Sequence, residues 1–198
     1  PASGVADDAE FMRRLYLDLT GRIPSVDQAK TFLASKDPNR REKLIDELLE
    51  SPNYASHFAT GWHNLLVPLV DNKRVNDEPL LRWLAEGFGK NRPWNRTVSE
   101  LLTASGNTET NPALGFLVTN KEPLVVAART AKLFLGVRLE CAECHNHPFS
   151  TWKQENFWGM AAFFQPVQIK KGKGPTKSFD VLEVKLPSLT VMVMSAST

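Results

Sequence analysis

Both cysteines of the chain and two of its four histidines fall within seven consecutive residues, Cys141-Ala142-Glu143-Cys144-His145-Asn146-His147. Cys-x-x-Cys-His is the attachment signature of c-type haem. In that chemistry the two thiols add across the porphyrin vinyl groups, and the adjacent imidazole lies under the iron as proximal ligand. Two intervening residues let one helical turn present both sulfurs to the same edge of the macrocycle. Two other readings use the same side chains. Cys141, Cys144, His145 and His147 have the ligand types and number of a zinc or iron site, although zinc usually draws its ligand pairs from two separated segments. A redox dithiol or a structural disulfide needs only the two cysteines and leaves His145 incidental.

With haem attached, the sixth iron position separates electron carriers, which have two strong protein ligands, from sites that bind small molecules or act as peroxidases. Candidates for that position are His57, His63, Met160, Met192 and Met194. His57 is the preferred one, because it is an imidazole on an otherwise apolar-rich helix. His57 and His63 do not share a helical face and cannot chelate one metal together. His147, two residues from the proximal ligand, cannot cross to the opposite face. Its expected partner is a haem propionate or the loop itself.

These side chains must be positioned by a chain of 198 residues, 42% hydrophobic and 23% charged. That is an ordinary globular composition with enough length for a substantial core. A net charge of +2 gives no argument for nucleic acid. Lys170, Lys171, Lys173 and Lys177 are interleaved with glycine and proline, as in a solvated loop. No apolar run approaches the roughly twenty residues that a membrane span needs. The start at Pro1 suggests a processed or trimmed chain, as export would leave. No phosphate-binding loop, dinucleotide fingerprint or Gly-x-Ser-x-Gly elbow is present. Asp18, among apolar neighbours, is expected to pair with a nearby arginine rather than act as a base.

The first two thirds predict successive helices. Phe11, Leu15 and Leu19 form one apolar stripe, closed by Gly21 and Pro24. Ser25 and Gln28 read as a capping box. Asp37-Pro38 reads as a cap with proline at the first helical position, before Leu44, Ile45 and Leu48. A fourth helix carries Tyr54, Phe58 and Trp62 and ends at Pro68. A fifth carries Leu80, Trp83, Leu84 and Phe88. Thr97 and Glu100 give another capping pattern. Residues 105–120, broken by Gly106, Asn111-Pro112 and Gly115, read as loop. Pro123 opens a small-residue helix that Gly136 stops, and its alanines suit close packing against another helix. After the motif, Thr151 and Gln154 read as a capping box, with Phe157, Trp158, Ala161 and Phe164 behind it. Beyond Pro166, Val167, Ile169, Phe179, Val181, Leu186 and Val191–Met194 suggest strands. The expected organisation is therefore mainly α: a helical haem-binding domain over 1–165 and a short β extension over 166–198.

The sequence also resembles a helical domain of unknown function widespread in planctomycete bacteria, found in large exported proteins beside cytochrome-like modules. The resemblance rests on the stretch from Phe11 to Pro24, on Leu48-Leu49-Glu50-Ser51-Pro52-Asn53-Tyr54, and on the stretch from Leu133 to Phe149. Trp152-Lys153, Phe157-Trp158 and Ala161-Ala162-Phe163-Phe164 continue it. It implies a c-type haem at Cys141, Cys144 and His145 in an exported protein, periplasmic or extracellular. The family's motif usually carries aspartate where this chain has Asn146, which puts any proton-transfer role for that position in doubt.

The reading expected from the whole is a monohaem c-type cytochrome domain that exchanges electrons with redox partner proteins and works as a carrier rather than an enzyme. A homo-oligomer or a larger parent assembly is compatible with this reading. Two alternatives stay open: a structural or interaction module with a zinc or disulfide Cys/His cluster, and a haem enzyme with an open sixth position. The fold is not that of a small classical cytochrome, since the motif follows a long helical stretch instead of opening the chain.

Overall fold

A computed structural model of the chain describes residues 4–68, 76–165, 167–171 and 182–185. The architecture is mainly α, and these residues fall into two compact units. One lies within Pro1–Asn64 and Leu81–Pro93, the other within Leu65–Leu80 and Trp94–Thr198.

The first unit begins with α1 (Asp8–Thr20), α2 (Val26–Ala34) and α3 (Arg40–Leu49). Asp7 accepts the Glu10 amide at 2.8 Å and starts α1. Gly21 ends that helix in the left-handed region at φ 68°, where its N–H bonds Leu17 O. Only glycine enters that conformation without steric cost. Ser25 and Gln28 form the predicted box, each side chain accepting the other's amide. The prediction for α3 was less accurate. The helix starts at Arg40, and Asp37 instead closes a local turn by accepting the Asn39 amide at 2.9 Å.

Met12, Tyr16, Phe32, Leu44 and Leu48 form the core of these three helices. A charged tether closes the open end. Asp8 accepts from Arg40 and, at 2.7 Å, from Arg41, whose guanidinium also lies 4.7 Å from the Phe11 ring centre. Asp18, expected to pair with arginine, is exposed, and Asp8 holds that role. The unit also contains most of α4 (Pro52–Leu66) and α5 (Glu78–Gly89). There Tyr54, Phe58 and Phe88 form an aromatic trio with ring centres 4.6–6.4 Å apart.

The second unit holds α6 (Trp94–Thr103), α7 (Gly115–Asn120), α8 (Pro123–Thr130) and α9 (Gln154–Phe164). Here the prediction of a loop over 105–120 is corrected. Pro112–Leu114 is a 3-10 turn, and α7 follows it with all six residues buried. Pro112 sits at the start of its turn, where a missing N–H does no harm. Gly115 is needed for space: a Cβ there would stand 2.9 Å from Leu80 side-chain atoms. The Thr97–Glu100 pattern is no cap either, since α6 begins at Trp94 and Thr97 is buried within it.

Asn120 fastens α7 by donating to Leu66 O at 3.1 Å and to Phe116 O at 2.7 Å. Proline opens α8 as predicted. The chain continues beyond α8 as a π-turn over Ala131–Leu135, and Gly136 at φ 69° ends it. Ala127 and Ala131 are wholly buried, and α8 packs on α9, so the alanines serve ordinary helix packing.

Strand is scarce. β1 (Gly106–Asn107), β2 (Gln168–Lys171) and β3 (Leu182–Lys185) pair antiparallel in the order β1-β3-β2. Gly106 and Ile169 flank Val184 on either side. Phe179, Val181, Leu186, Met192 and Met194 lie outside the described residues, as do Lys173 and Lys177.

Candidate functional site

The Cys/His motif lies in the second unit, on a 3-10 turn spanning Leu139–Glu143 with Cys144 at its C-terminal cap. With about three residues per turn, positions i and i+3 of such a helix stand one above the other. Leu139 and Ala142 face inward, 2% and 0% exposed, and with Ala131 and Phe157 they make a small core. Cys141 and Cys144 are exposed, and both thiols are free. The alternation of apolar and reactive residues in Leu-Glu-Cys-Ala-Glu-Cys therefore anchors one side of the turn and presents the sulfurs on another.

The following loop is tied to the start of α9. Asn146 Oδ1 accepts the Gln154 amide at 3.1 Å. Glu143 O accepts twice, from Gln154 Nε2 at 3.0 Å and from Trp158 Nε1 at 3.2 Å. The His147 amide donates to Trp152 O at 2.9 Å. The Thr151–Gln154 capping box is replaced by these longer-range bonds, together with Asn156 Oδ1 accepting the Lys153 amide at 2.7 Å. The sequence reading missed Gln154 and Trp158 as supports of the motif. Their spacing of four residues on one helix face was the available signal.

His145 is exposed, with Nδ1 2.7 Å from its neighbour's carbonyl, Asn146 O. His147 is half-buried, and its Nδ1 lies 3.2 Å from the Phe149 amide. Phe149 is 92% exposed, and Trp158 and Leu135 are also well exposed. A cleft of about 300 Å³ lies beside the turn, lined by residues that include Leu135, Val137, Trp152 and Met160 and the polar Glu155 and Asn156. That volume is at the small end of the range for ligand sites. Met160, proposed from the sequence as an iron ligand or core residue, packs partly buried against the motif's own core.

Covalent haem requires two accessible thiols one turn apart, an imidazole with Nε2 available and apolar surface to cover. The residues present fit these requirements: the thiols share a turn, the carbonyl holds His145 by Nδ1, and exposed aromatics stand nearby. Among the described residues no group of three or more His, Cys, Asp or Glu side chains is assembled to hold a metal ion. Cys141, Cys144, His145 and His147 thus do not converge as a four-ligand cluster.

His57 belongs to the first unit. It packs on Gly21, where a Cβ would come within 2.5 Å of its Nδ1, and meets the Phe58 ring edge-on at 5.7 Å. These contacts give it a packing role on the α1 cap. His63 is half-buried. The first unit also has a cleft of about 550 Å³, lined by residues that include Tyr16, Arg22, Ser25, Glu47 and Asn53. Burial, aided by the Glu47 charge, raises the Tyr16 hydroxyl above its usual pKa. No helix of the described residues is long and apolar enough to cross a membrane.

A mainly α chain with a late Cys-x-x-Cys-His turn is the class that fold and site define. The family is shown by a model described as "Protein of unknown function (DUF1549)", PSCyt2, which matches residues 1–169: the chain belongs to this family. Neither the curated proteins nor the solved structures gave a match.

Proposed function

We propose that the second unit carries one covalent haem c and that the protein transfers electrons outside the cytoplasm. Cys141 and Cys144 hold the porphyrin through thioether bonds, and His145 ligates the iron through Nε2. When bound, the haem supplies one-electron chemistry at a potential set by its ligands and surroundings. The chain's part is to hold both sulfurs on one turn, orient the imidazole, and offer Phe149 and Trp158 as apolar cover.

The supporting observation is the commitment of His145 Nδ1 to the Asn146 carbonyl. A metal-ligating histidine commonly donates its other ring N–H to such an acceptor, which fixes the ring and raises its basicity. The exposed Phe149 adds to this, since an aromatic left in water beside a reactive turn suits a surface that an apolar group covers.

The test is expression of the chain, sent to the periplasm, together with haem-attachment machinery, followed by a pyridine haemochrome spectrum. The expected result is one haem per chain that stays attached after denaturation and is lost in Cys141→Ser/Cys144→Ser. Colourless protein under those conditions would sink the cytochrome reading. Stoichiometric zinc or a Cys141–Cys144 disulfide in that protein would put an interaction module in its place.

A further inference from the structure

The backbone after the motif treats its two histidines in opposite ways. His145 Nδ1 lies 2.7 Å from Asn146 O. A carbonyl can only accept, so Nδ1 carries the proton and, in the neutral ring, Nε2 keeps its lone pair. His147 Nδ1 lies 3.2 Å from the Phe149 amide. An amide N–H can only donate, so here Nδ1 holds the lone pair and, in the neutral ring, Nε2 carries the proton.

The backbone around both rings is held by bonds to Trp152 and to α9. Asn146 supplies the carbonyl for His145 while its side chain accepts the first amide of α9 from Gln154. The His147 backbone is held by its bond to Trp152 O. The carbonyl before Cys144 is fixed by two side chains of α9. The turn is therefore a framework that presents one acceptor to the first imidazole and one donor to the second.

We propose that this framework sets opposite tautomers on the two rings. His145 alone offers an Nε2 lone pair to a metal, and His147 is a dedicated Nε2–H donor for an anionic oxygen, a carboxylate such as a haem propionate. The roles of the rings toward haem rest on the function proposed above, whereas the tautomers depend only on the backbone. The framework also explains how a Cys-x-x-Cys-His-x-His run avoids competition between two imidazoles for one metal position. His147 has its Nδ1 occupied by Phe149 and its Nε2 protonated.

The experiment uses the haem-free chain with ¹⁵N-labelled histidine, at a pH above the ordinary imidazole value of about 6.5. Long-range ¹H–¹⁵N correlations report which nitrogen of each ring is protonated. The expected pattern is Nδ1–H for His145 and Nε2–H for His147. The same tautomer in both rings, or averaging between the two forms in either, would overturn the assignment. In haem-loaded protein, His147→Asn keeps the iron-ligand bands of the absorption spectrum, whereas His145→Asn changes them. An altered ligand spectrum in His147→Asn would overturn the division of roles. Colourless protein with the expected tautomers would refute the haem reading and support the tautomer assignment.

Discussion

The N-terminal helices and the Cys/His turn handle their polar groups differently. In α1–α3 the polar side chains work for their own segment or for the neighbouring helix. Asp7 and Ser25 cap the helices that follow them, Gly21 closes α1, and Asp8 ties the start of α1 to α3. Around the motif, side chains from α9 instead support a turn that displays two thiols, an imidazole and a bare phenylalanine. The first arrangement stabilises a bundle. The second holds reactive groups in place and leaves apolar surface uncovered.

Three substitutions probe that contrast, from the largest effect to the smallest. Phe157→Ala removes the wholly buried ring under the motif turn. Phenylalanine-to-alanine changes in cores cost about 3–5 kcal/mol. Denaturant unfolding should show a loss of that order, with faster hydrogen exchange in the 3-10 turn. A loss under ~1 kcal/mol would mean that the turn does not depend on this core.

Gly21→Ala tests the closed end of α1. A side chain in the left-handed region costs roughly 1–2 kcal/mol, and here it also meets the His57 ring at 2.5 Å. Pairing the change with His57→Ala should recover the steric part and leave the backbone part. Strict additivity in that double-mutant cycle would argue against the His57–Gly21 contact.

Asp8→Asn tests the charged tether, and its effect depends on pH. The hydrogen bond from Arg40, then that from Arg41, holds the Asp8 carboxyl below the ordinary aspartate value of 3.8. A depressed carboxylate stabilises the fold at pH above its unfolded value, and that stability is lost as pH falls through the folded value. The variant should therefore melt earlier than the parent at neutral pH. The two melting temperatures should converge as the solution is acidified below 3.8. A constant difference across that range would show that Asp8 acts by packing.

The legible parts of the sequence were those fixed by near neighbours. Gly21, the Ser25–Gln28 box, Pro123 and Gly136 all act within one turn of their own position, and each does what its type predicts. The motif was legible for the same reason, as a run of five residues. What escaped depended on distant partners. Gly115 looks like a breaker, yet it is small because Leu80 presses against it. Thr97 has the spacing of a cap but is buried inside α6. The start of α9 is served by Asn146, eight residues away, so the Thr151–Gln154 pattern misled. Nothing in the run Cys141–His147 foretells that Trp158 will fix its backbone.

That last bond also limits how the motif's backbone can move. With both lone pairs of Glu143 O engaged by donors one turn apart on a helix, the peptide plane leading into Cys144 cannot swing. The backbone entering the second cysteine is thus held, while its sulfur still turns about χ1. A group taken up at Cys144 would meet a backbone already ordered in folding, so that share of the ordering entropy would not be lost again on binding.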